Sequence, residues 1–270
     1  MPWADASGLR IFYQTAPAPG GGTSTPVLFL HGLGSCAEDW ALQVAAFSAE
    51  RTVITLDLPG HGQSGRLSGW PTIQDYAAAS LAPLDVQGVE RADVIGLSLG
   101  GLVALQLGLD HPERVRSLTL VNAFARMRVP WNGLPRILGR ILLLLAGPMD
   151  WLGTWVAAGL FPHPDQEPLR RLAAERLASN SRRSYLQAAV AVARFDQRPA
   201  LGRIRLPVQV IAGEQDRTVS LPAKRELAER IAGAQLTILP GSGHASPIDA
   251  PSAFNQVVRN FLREVDTSAR

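Results

Sequence analysis

Short runs of apolar residues recur along the chain, separated by longer segments in which apolar positions are spaced three or four residues apart. A run such as VLFL at 27–30 is apolar at every position, which is typical of a strand buried on both faces of a parallel sheet. The run LRIFYQT at 9–15 predicts an edge strand. The other runs predict strands at 52–58, 117–123, 207–216 and 235–245, and one more that ends at Val94-Ile95.

Helical spacing predicts helices between most of these strands. One of them, from Leu99 to about Leu109, is rich in Ala and Leu, and we expect it to be amphipathic. Because short apolar strands alternate with helices, we predict an α/β fold with a mostly parallel, doubly wound sheet covered on both faces. The remaining predicted helices are 37–49, 72–86, 222–231 and 251–265.

The pattern changes from about Phe124 to Arg203. No strand-like run occurs there, and the segments LRRLAAERLA and SYLQAAVAVARF are amphipathic at helical spacing. We therefore expect a helical cap at 125–203, inserted into a sheet domain made of residues 1–124 and 204–270.

The composition is that of a globular protein. Apolar residues make up 46% of the 270 positions and charged residues 18%, which is unlike a disordered chain. The formal charge is +3, and the basic residues, 25 of them Arg, are scattered among acids, so we expect no nucleic-acid partner. The most apolar run, 137–147, is much shorter than the roughly 20 residues of a membrane span, so we expect no membrane partner.

Two features favour the cytoplasm. The single cysteine, Cys36, forbids an intrachain disulfide, and the N-terminal MPWADASGLR lacks the basic and apolar regions of a secretory signal. We expect Cys36 to be a packed thiol rather than a nucleophile, because no second base motif accompanies it.

The stretch RADVIGLSLGG at 91–101 contains the chemistry around which the chain is organised. A strand ending near Ile95 leads into a helix through Gly96-Leu97-Ser98-Leu99-Gly100. A G-x-S-x-G turn between a strand and a helix is the nucleophile elbow, which raises a serine hydroxyl above the edge of the sheet. Side chains at 96 and 100 would collide where strand and helix pack together around that turn.

The ends of other predicted strands carry the groups that such a serine needs. His31-Gly32-Leu33 follows one strand, Asp216 follows another and His244 a third, and the order of serine, aspartate and histidine is that of α/β-hydrolase triads. The chain therefore resembles the α/β-hydrolase superfamily over nearly its whole length, in particular capped small carboxylesterases and 3-oxoadipate enol-lactonases. The matching motifs are HGLG at 31–34, DLPGHGQS at 57–64, GLSLGG at 96–101, HPERV at 111–115, GEQD at 213–216 and GSGH at 241–244.

Each of these residues has a chemical role in that interpretation. Ser98 would be the nucleophile, and His244 would take its proton and return it to the leaving group. Asp216 would accept the other ring N–H of His244 and fix its tautomer. The backbone N–H of Leu99, at the start of a helix, would donate to the oxyanion, and the resemblance implies the N–H of Leu33 as the second donor.

Other residues compete for these roles. Glu214, Asp196 and Asp249 are alternative acids, but Asp216 follows its strand in the loop that should reach the histidine. We expect His31 and His61 to stabilise turns.

Three further features have ordinary interpretations. We expect His111 and His163 to be exposed to solvent. GHGQSG at 60–65 fits a dinucleotide-binding pattern, but no helix follows it, so we predict no nucleotide cofactor. No pair of side chains has metal-ligand spacing, so we predict no metal.

The sequence thus predicts a cofactor-free serine hydrolase that cleaves a small, apolar carboxylic ester or lactone through an acyl-enzyme on Ser98. Haloalkane dehalogenases and soluble epoxide hydrolases share this fold but use an aspartate at the position of Ser98. The serine therefore argues against both of these enzyme classes. A carbon–carbon bond hydrolase, a cofactor-free perhydrolase and a ligand receptor without turnover remain alternatives. Four aromatic residues are predicted to line an apolar pocket under the cap: Trp131, Trp151, Trp155 and Phe161.

Overall fold

A computed structural model describes residues 2–19, 24–127 and 134–268. Its strands are β1 (Trp3–Ala6), β2 (Leu9–Ala16), β3 (Val27–Leu30), β4 (Val53–Leu56), β5 (Ala92–Leu97), β6 (Val115–Val121), β7 (Val208–Gly213) and β8 (Gln235–Leu239). They form one sheet in the order β1-β2-β4-β3-β5-β6-β7-β8. The pairs from β4 to β8 are parallel, and β2 pairs antiparallel with both β1 and β4. The predicted α/β fold with a mostly parallel, doubly wound sheet is confirmed.

The predicted edge strand at 9–15 is a strand but not an edge. Residues 3–6 form β1, which covers its outer side. The two strands are joined through Ser7 and Gly8, which both have positive φ angles of 54° and 87°, as a two-residue type I′ hairpin requires. The rings of Trp3 and Phe12 pack edge to face across the pair, 5.2 Å apart.

Several predicted helices are shorter or divided. The helices are α1 (Ala41–Phe47), α2 (Ile73–Ala79), α3 (Ala82–Val86), α4 (Leu99–Asp110), α5 (Leu134–Ala146), α6 (Met149–Leu160), α7 (Glu167–Ala178), α8 (Arg182–Arg194), α9 (Leu221–Arg230), α10 (Ser246–Asp249) and α11 (Pro251–Ser268). The predicted helix at 37–49 begins as a 3-10 turn, and the one at 72–86 divides into α2 and α3. Pro83 explains the division, because a proline inside a helix lacks the N–H that would bond to the preceding turn.

The two faces of the sheet bury different apolar sets, as alternation along a strand requires. Val27 and Phe29 of β3 belong to one cluster with Trp40, from the 3-10 turn before α1, and Phe254 of α11. Leu28 and Leu30 face the other cluster, which includes α4. The strand is therefore apolar at every position because both of its faces are covered.

Helix α4 differs from its prediction. We expected an amphipathic helix, but every residue from Leu99 to Leu109 is buried. The helix lies against β3, β5 and β6 and is covered on its other side by α2. Because other elements cover α4 on both sides, no side of the helix between Leu99 and Leu109 is exposed to solvent.

Helices α5 to α8 lie between β6 and β7 in the chain, and this segment contacts the loops at the carboxyl edge of the sheet through α8 and through the connections on either side of α7. Asn180 donates to the main-chain oxygen of Gly34, after β3, over 3.0 Å. Gln187 donates to the oxygen of Gly69, after β4, over 2.6 Å. The ring of His163 bonds to the side chain of Gln215, after β7. Among the described residues, no helix is long and apolar enough to cross a membrane.

Candidate active site

Ser98 occupies a strained turn between β5 and α4. Its φ of 52° and ψ of −112° lie outside the regions that residues other than glycine prefer, at a cost of about 1–3 kcal/mol. The turn is held from both sides, since Ser98 N donates to Val121 O over 2.9 Å and Leu102 N donates to Ser98 O over 3.0 Å. This local geometry is that of the predicted nucleophile elbow.

The glycines on either side of Ser98 are required by close backbone contacts. A methyl group added at Gly96 would lie 2.1 Å from the carbonyl oxygen of Gly100. A methyl group added at Gly100 would lie 2.1 Å from the carbonyl oxygen of Leu30 on the neighbouring strand. Backbone atoms cannot move aside as a flexible side chain can, so the tight turn excludes any larger residue at either position.

His244 and Asp216 are hydrogen-bonded to each other. Nδ1 of His244 lies 2.8 Å from Oδ2 of Asp216. The carboxylate requires a proton on Nδ1, which leaves Nε2 as the basic nitrogen of the neutral ring. Both residues lie in loops at the carboxyl edge of the sheet, after β8 and β7, and this is the edge at which β5 ends in Ser98.

Asp216 is ionised by its surroundings. Burial would raise the pKa of its carboxyl group, but the nearby His244 and the Lys224 ammonium group outweigh that effect and hold the pKa well below its usual range. Its other oxygen, Oδ1, accepts hydrogen bonds from the main-chain N–H groups of Thr218 and Val219, over 2.7 and 3.1 Å. The acid is thus a fully bonded, buried anion.

The other three candidate acids have different partners. Glu214 accepts from the main-chain N–H of Gly241 over 3.0 Å, and Asp196 is bonded to Arg198 at the surface. Asp249 accepts from the Ser242 hydroxyl over 2.7 Å and from the Gly243 N–H over 2.8 Å. Asp249 therefore braces the loop that carries the histidine, and of the four acids Asp216 is the one bonded to the imidazole.

Sequence reasoning missed Lys224 of helix α9. Its side chain is fully buried, with Nζ 2.7 Å from Oδ2 of Asp216. Burial lowers the pKa of Lys224, although the carboxylate of Asp216 opposes that effect. In the sequence it is one polar residue in an ordinary helix, so the only available signal was that the chain has no other lysine.

Asn122, at the end of β6, was also missed. Its Nδ2 donates to the carbonyl oxygen of His244 over 2.8 Å and to the Ser246 hydroxyl over 2.8 Å. Its Oδ1 accepts from the N–H of Gly213 over 2.8 Å. The residue is fully buried and has a φ of 46°, a conformation that asparagine tolerates better than most residues. It therefore ties the histidine loop to the strand that precedes Asp216.

The two residues predicted to donate to an oxyanion belong to segments next to the serine. Leu99 is the first residue of α4, where the leading N–H groups of a helix have no intrahelical acceptor. A methyl group added at Gly32 would lie 3.7 Å from the Cβ of Ser98, so the loop that contains Leu33 runs directly beside the nucleophile.

His31 and His61 stabilise the adjoining loops from the interior. Nδ1 of His31 bonds to Gly32 O over 2.8 Å, and its Nε2 accepts from the N–H of Leu58 over 2.9 Å. Nδ1 of His61 bonds to Pro59 O over 3.1 Å. Burial lowers the pKa of His31 to about 4 and that of His61 to about 3. Both rings are therefore neutral near pH 7.

The remaining predicted residues have varied surroundings. Cys36 is buried, and burial raises the pKa of its thiol to about 12, so it is unreactive at neutral pH. Phe161 is buried, whereas Trp151 and Trp155 are 65% and 45% exposed. Trp131 lies outside the described residues. Their assignment to a substrate pocket stays a prediction.

Comparisons with known proteins agree with this architecture. A sequence model of the alpha/beta hydrolase family matches residues 27–257. A relative from Azorhizobium caulinodans that is named as a carbamate hydrolase, RutD, is 30% identical over 98% of this chain and 100% of its own. The 3-oxoadipate enol-lactonase 2 of Acinetobacter baylyi is 30% identical over 88% of each chain.

One solved structure is similar to this chain over nearly the whole length of both proteins. The enol-lactonase from Burkholderia xenovorans LB400 has a TM-score of 0.88 and 29% identity, and the match covers 97% of this chain and 100% of that one.

Proposed function

Because the chain belongs to the alpha/beta hydrolase family, we propose that it is a serine hydrolase that cleaves a carboxylic ester or lactone through an acyl-enzyme on Ser98. The observation that carries the proposal is the hydrogen bond between His244 and Asp216, at the edge of the sheet where the elbow presents Ser98. A hydroxyl is a weak nucleophile at neutral pH, and a histidine oriented by a carboxylate activates it.

In the acylation step, Oγ of Ser98 forms a bond to the carbonyl carbon as its proton passes to Nε2 of His244. The carbonyl oxygen becomes an oxyanion that accepts hydrogen bonds from the N–H groups of Leu33 and Leu99. The bond to the leaving oxygen then breaks, and His244 returns the proton to the departing alcohol. Asp216 remains ionised and stabilises the imidazolium that forms during the step.

In the deacylation step, water takes the place of the alcohol. His244 accepts a proton from a water molecule as the oxygen of that water forms a bond to the acyl carbon. The bond between the acyl carbon and Oγ of Ser98 then breaks, and His244 returns the proton to Oγ. The product is a carboxylic acid, or the opened hydroxy acid in the case of a lactone. The reaction requires no reactant besides the substrate and water.

Residues 125–203 are proposed as a cap over this site. Side chains of α8 and of the connections before and after α7 bond to the loops after β3, β4 and β7, which surround the end of β5. Gly34 lies against Leu177 and Tyr185 of α7 and α8, since a methyl group added to that glycine would lie 2.2 Å from one and 3.0 Å from the other. These two buried side chains would limit the space for the acyl group beside the proposed oxyanion donor, Leu33.

The similarity to lactonases supports a lactone or enol ester as substrate. Besides the enol-lactonases, a protein described as an N-acyl homoserine lactone degrading enzyme has a TM-score of 0.82 and 26% identity to this chain. A second candidate reaction is hydrolysis of a carbamate, because a relative that this chain matches over all of that relative's length is named for that activity. Attack of Ser98 on the carbamate carbonyl would break the C–N bond, His244 would give its proton to the departing amine, and water would then hydrolyse the carbonate left on Ser98.

A fluorophosphonate tests the class of reaction. We expect incubation with the reagent to add its mass to the peptide that contains Ser98, and prior denaturation to prevent the labelling. Folded protein that stays unlabelled would contradict the proposal and favour a ligand receptor.

A substrate panel then tests the proposed bond type. It comprises p-nitrophenyl esters of increasing acyl length, lactones of increasing ring size, an N-aryl carbamate and a vinylogous 1,5-diketone. We expect the highest kcat/KM with an ester or lactone. Preferential turnover of the carbamate would support the second candidate, and turnover of the diketone alone would establish carbon–carbon bond cleavage instead.

A further inference from the structure

The only lysine of the chain is buried next to the proposed catalytic acid. Nζ of Lys224 lies 2.7 Å from Oδ2 of Asp216 and 3.3 Å from the carbonyl oxygen of Gly213. The same carboxylate oxygen lies 2.8 Å from Nδ1 of His244. One oxygen atom of the acid is therefore shared between an ammonium group and the imidazole.

The presence of Lys224 changes the net charge of the buried group that it forms with Asp216 and His244. With Lys224 protonated and Asp216 ionised, the site is neutral when His244 is neutral, and it acquires one net positive charge when His244 takes up a proton. Without the lysine, the same proton uptake would turn a net negative site into a neutral one. A buried charge without a partner is costly, so Lys224 favours the unprotonated ring of His244.

Two further acids of the described chain lie near the histidine loop, and both are hydrogen-bonded. Asp249, from α10, faces the histidine loop, and its two oxygens are bonded to Ser242 and Gly243. Glu214, in the loop after β7, is exposed and bonded to Gly241. Asn122, which contacts the loop from β6, is uncharged. A substitution of Lys224 alone would leave the contacts of Asp249, Glu214 and Asn122 unchanged.

We propose that Lys224 is a positioning residue that keeps His244 in its basic form, so that Ser98 stays activated at lower pH than the serine, histidine and aspartate alone would allow. This inference rests on the proposed function of those three residues. It predicts that removal of the lysine moves the acid side of the pH profile and does not merely lower the activity.

The first test measures the rate constant for fluorophosphonate labelling of Ser98 as a function of pH in the wild type, Lys224→Met and Lys224→Arg. We expect the midpoint of the acid limb to rise by about one pH unit in Lys224→Met, since a neighbouring charge has effects of that size. Lys224→Arg should restore it toward the wild type.

The control is Arg116→Met, which removes a cation paired with the buried Asp93 at the opposite end of β5. It should change stability but leave the midpoint unchanged.

A second measurement does not depend on activity. Because the chain has one lysine, labelling with ¹⁵N-lysine yields a single side-chain Nζ resonance. We expect Asp216→Asn to make this resonance titrate at lower pH than in the wild type, because the ammonium group loses its counter-charge.

The possible outcomes separate the two proposals. A labelled Ser98 whose acid limb is unchanged in Lys224→Met, or an Nζ titration unchanged in Asp216→Asn, would overturn the role of Lys224 and leave the proposed hydrolase intact. Absence of labelling in the wild type would overturn the proposed hydrolase itself. If Lys224→Met does not fold, the Nζ titration still decides whether Lys224 and Asp216 interact.

Discussion

The side-chain amide of Asn122 donates a hydrogen bond of 2.8 Å to the main-chain carbonyl oxygen of His244. The same side chain accepts from the N–H of Gly213. One uncharged residue at the end of β6 therefore joins the loop of the proposed base to the strand of the proposed acid. A change of its amide should affect the geometry of both.

The change Asn122→Asp replaces the donor by an oxygen that faces the carbonyl oxygens of Gly243 and His244, which are 3.2 and 2.8 Å from Nδ2. We expect a loss of about 3 kcal/mol in the free energy of unfolding, because buried acceptors lose their partner. Displacement of the imidazole should reduce the labelling rate of Ser98 about 100-fold. Urea unfolding and labelling kinetics measure the two effects.

A matched control exists on the surface. Asn260 of α11 is exposed and accepts a hydrogen bond from Gln256. The same substitution, Asn260→Asp, should change the free energy of unfolding by less than about 0.5 kcal/mol and leave labelling unchanged. Equal effects of the two substitutions would show that Asn122 does not position the histidine.

Substitutions in the proposed triad should differ in severity. We expect Ser98→Ala and His244→Ala to abolish turnover of a short-chain p-nitrophenyl ester. Asp216→Asn should lower kcat by about 10⁴, because an amide no longer selects the productive tautomer of His244. Steady-state kinetics with circular dichroism as a check of folding measure these effects.

Asp249→Asn is the matched control for the acid, because Asp249 is half-buried near the histidine loop but binds Ser242 and Gly243 instead of the ring. It should retain far more activity than Asp216→Asn. Full activity in Asp216→Asn, with loss of activity in Asp249→Asn, would transfer the role of the acid to Asp249.

The elbow should not tolerate an added methyl group. Gly100→Ala places Cβ 2.1 Å from the carbonyl oxygen of Leu30, and we expect destabilisation by about 3 kcal/mol or more because the strand and helix must separate. Gly202→Ala is the control, since among the described residues, apart from Gly202 and its two chain neighbours, no atom lies within 4 Å of its added Cβ. Thermal unfolding of both variants tests the prediction, and equal melting temperatures would contradict it.

The buried histidines should make stability depend on pH. The folded-state pKa values of His31 and His61, about 4 and about 3, lie below the ordinary value of about 6.5. As pH falls below that value, the unfolded chain binds protons first, so stability is complete above about pH 6.5 and decreases toward pH 4. Burial also raises the pKa of Asp57, which opposes the loss at the acid end.

We expect each histidine to cost about 2 kcal/mol of stability at pH 5 relative to pH 7. His61→Asn, which can still donate to the carbonyl oxygen of Pro59, should remove about half of the combined effect. Urea unfolding at the two pH values measures it. An identical difference between pH 7 and pH 5 in the wild type and in His61→Asn would refute the prediction.

The strands, and the candidate catalytic residues at their ends, were predictable because each signal lies within a short stretch of neighbouring residues. The apolar run of β3 indicates a strand buried on both faces, and the glycines around Ser98 indicate a tight turn. Each pattern is complete within a few neighbouring residues. The β1 strand was missed because four residues with one strongly buried position carry little pattern. The burial of α4 on both sides depended on α2, which is distant in sequence.

The sequence by itself determined the type of fold and the candidate nucleophile, base and acid, because strand ends and glycine-rich turns are encoded in a few neighbouring residues. Tertiary structure alone decided that Asn122 holds a loop 122 residues away, and that Lys224 shares the carboxylate of Asp216 with His244. The physical reason is that burial and charge pairing belong to the space between elements. A polar side chain has the same appearance in a sequence whether it faces water or an anion in the interior.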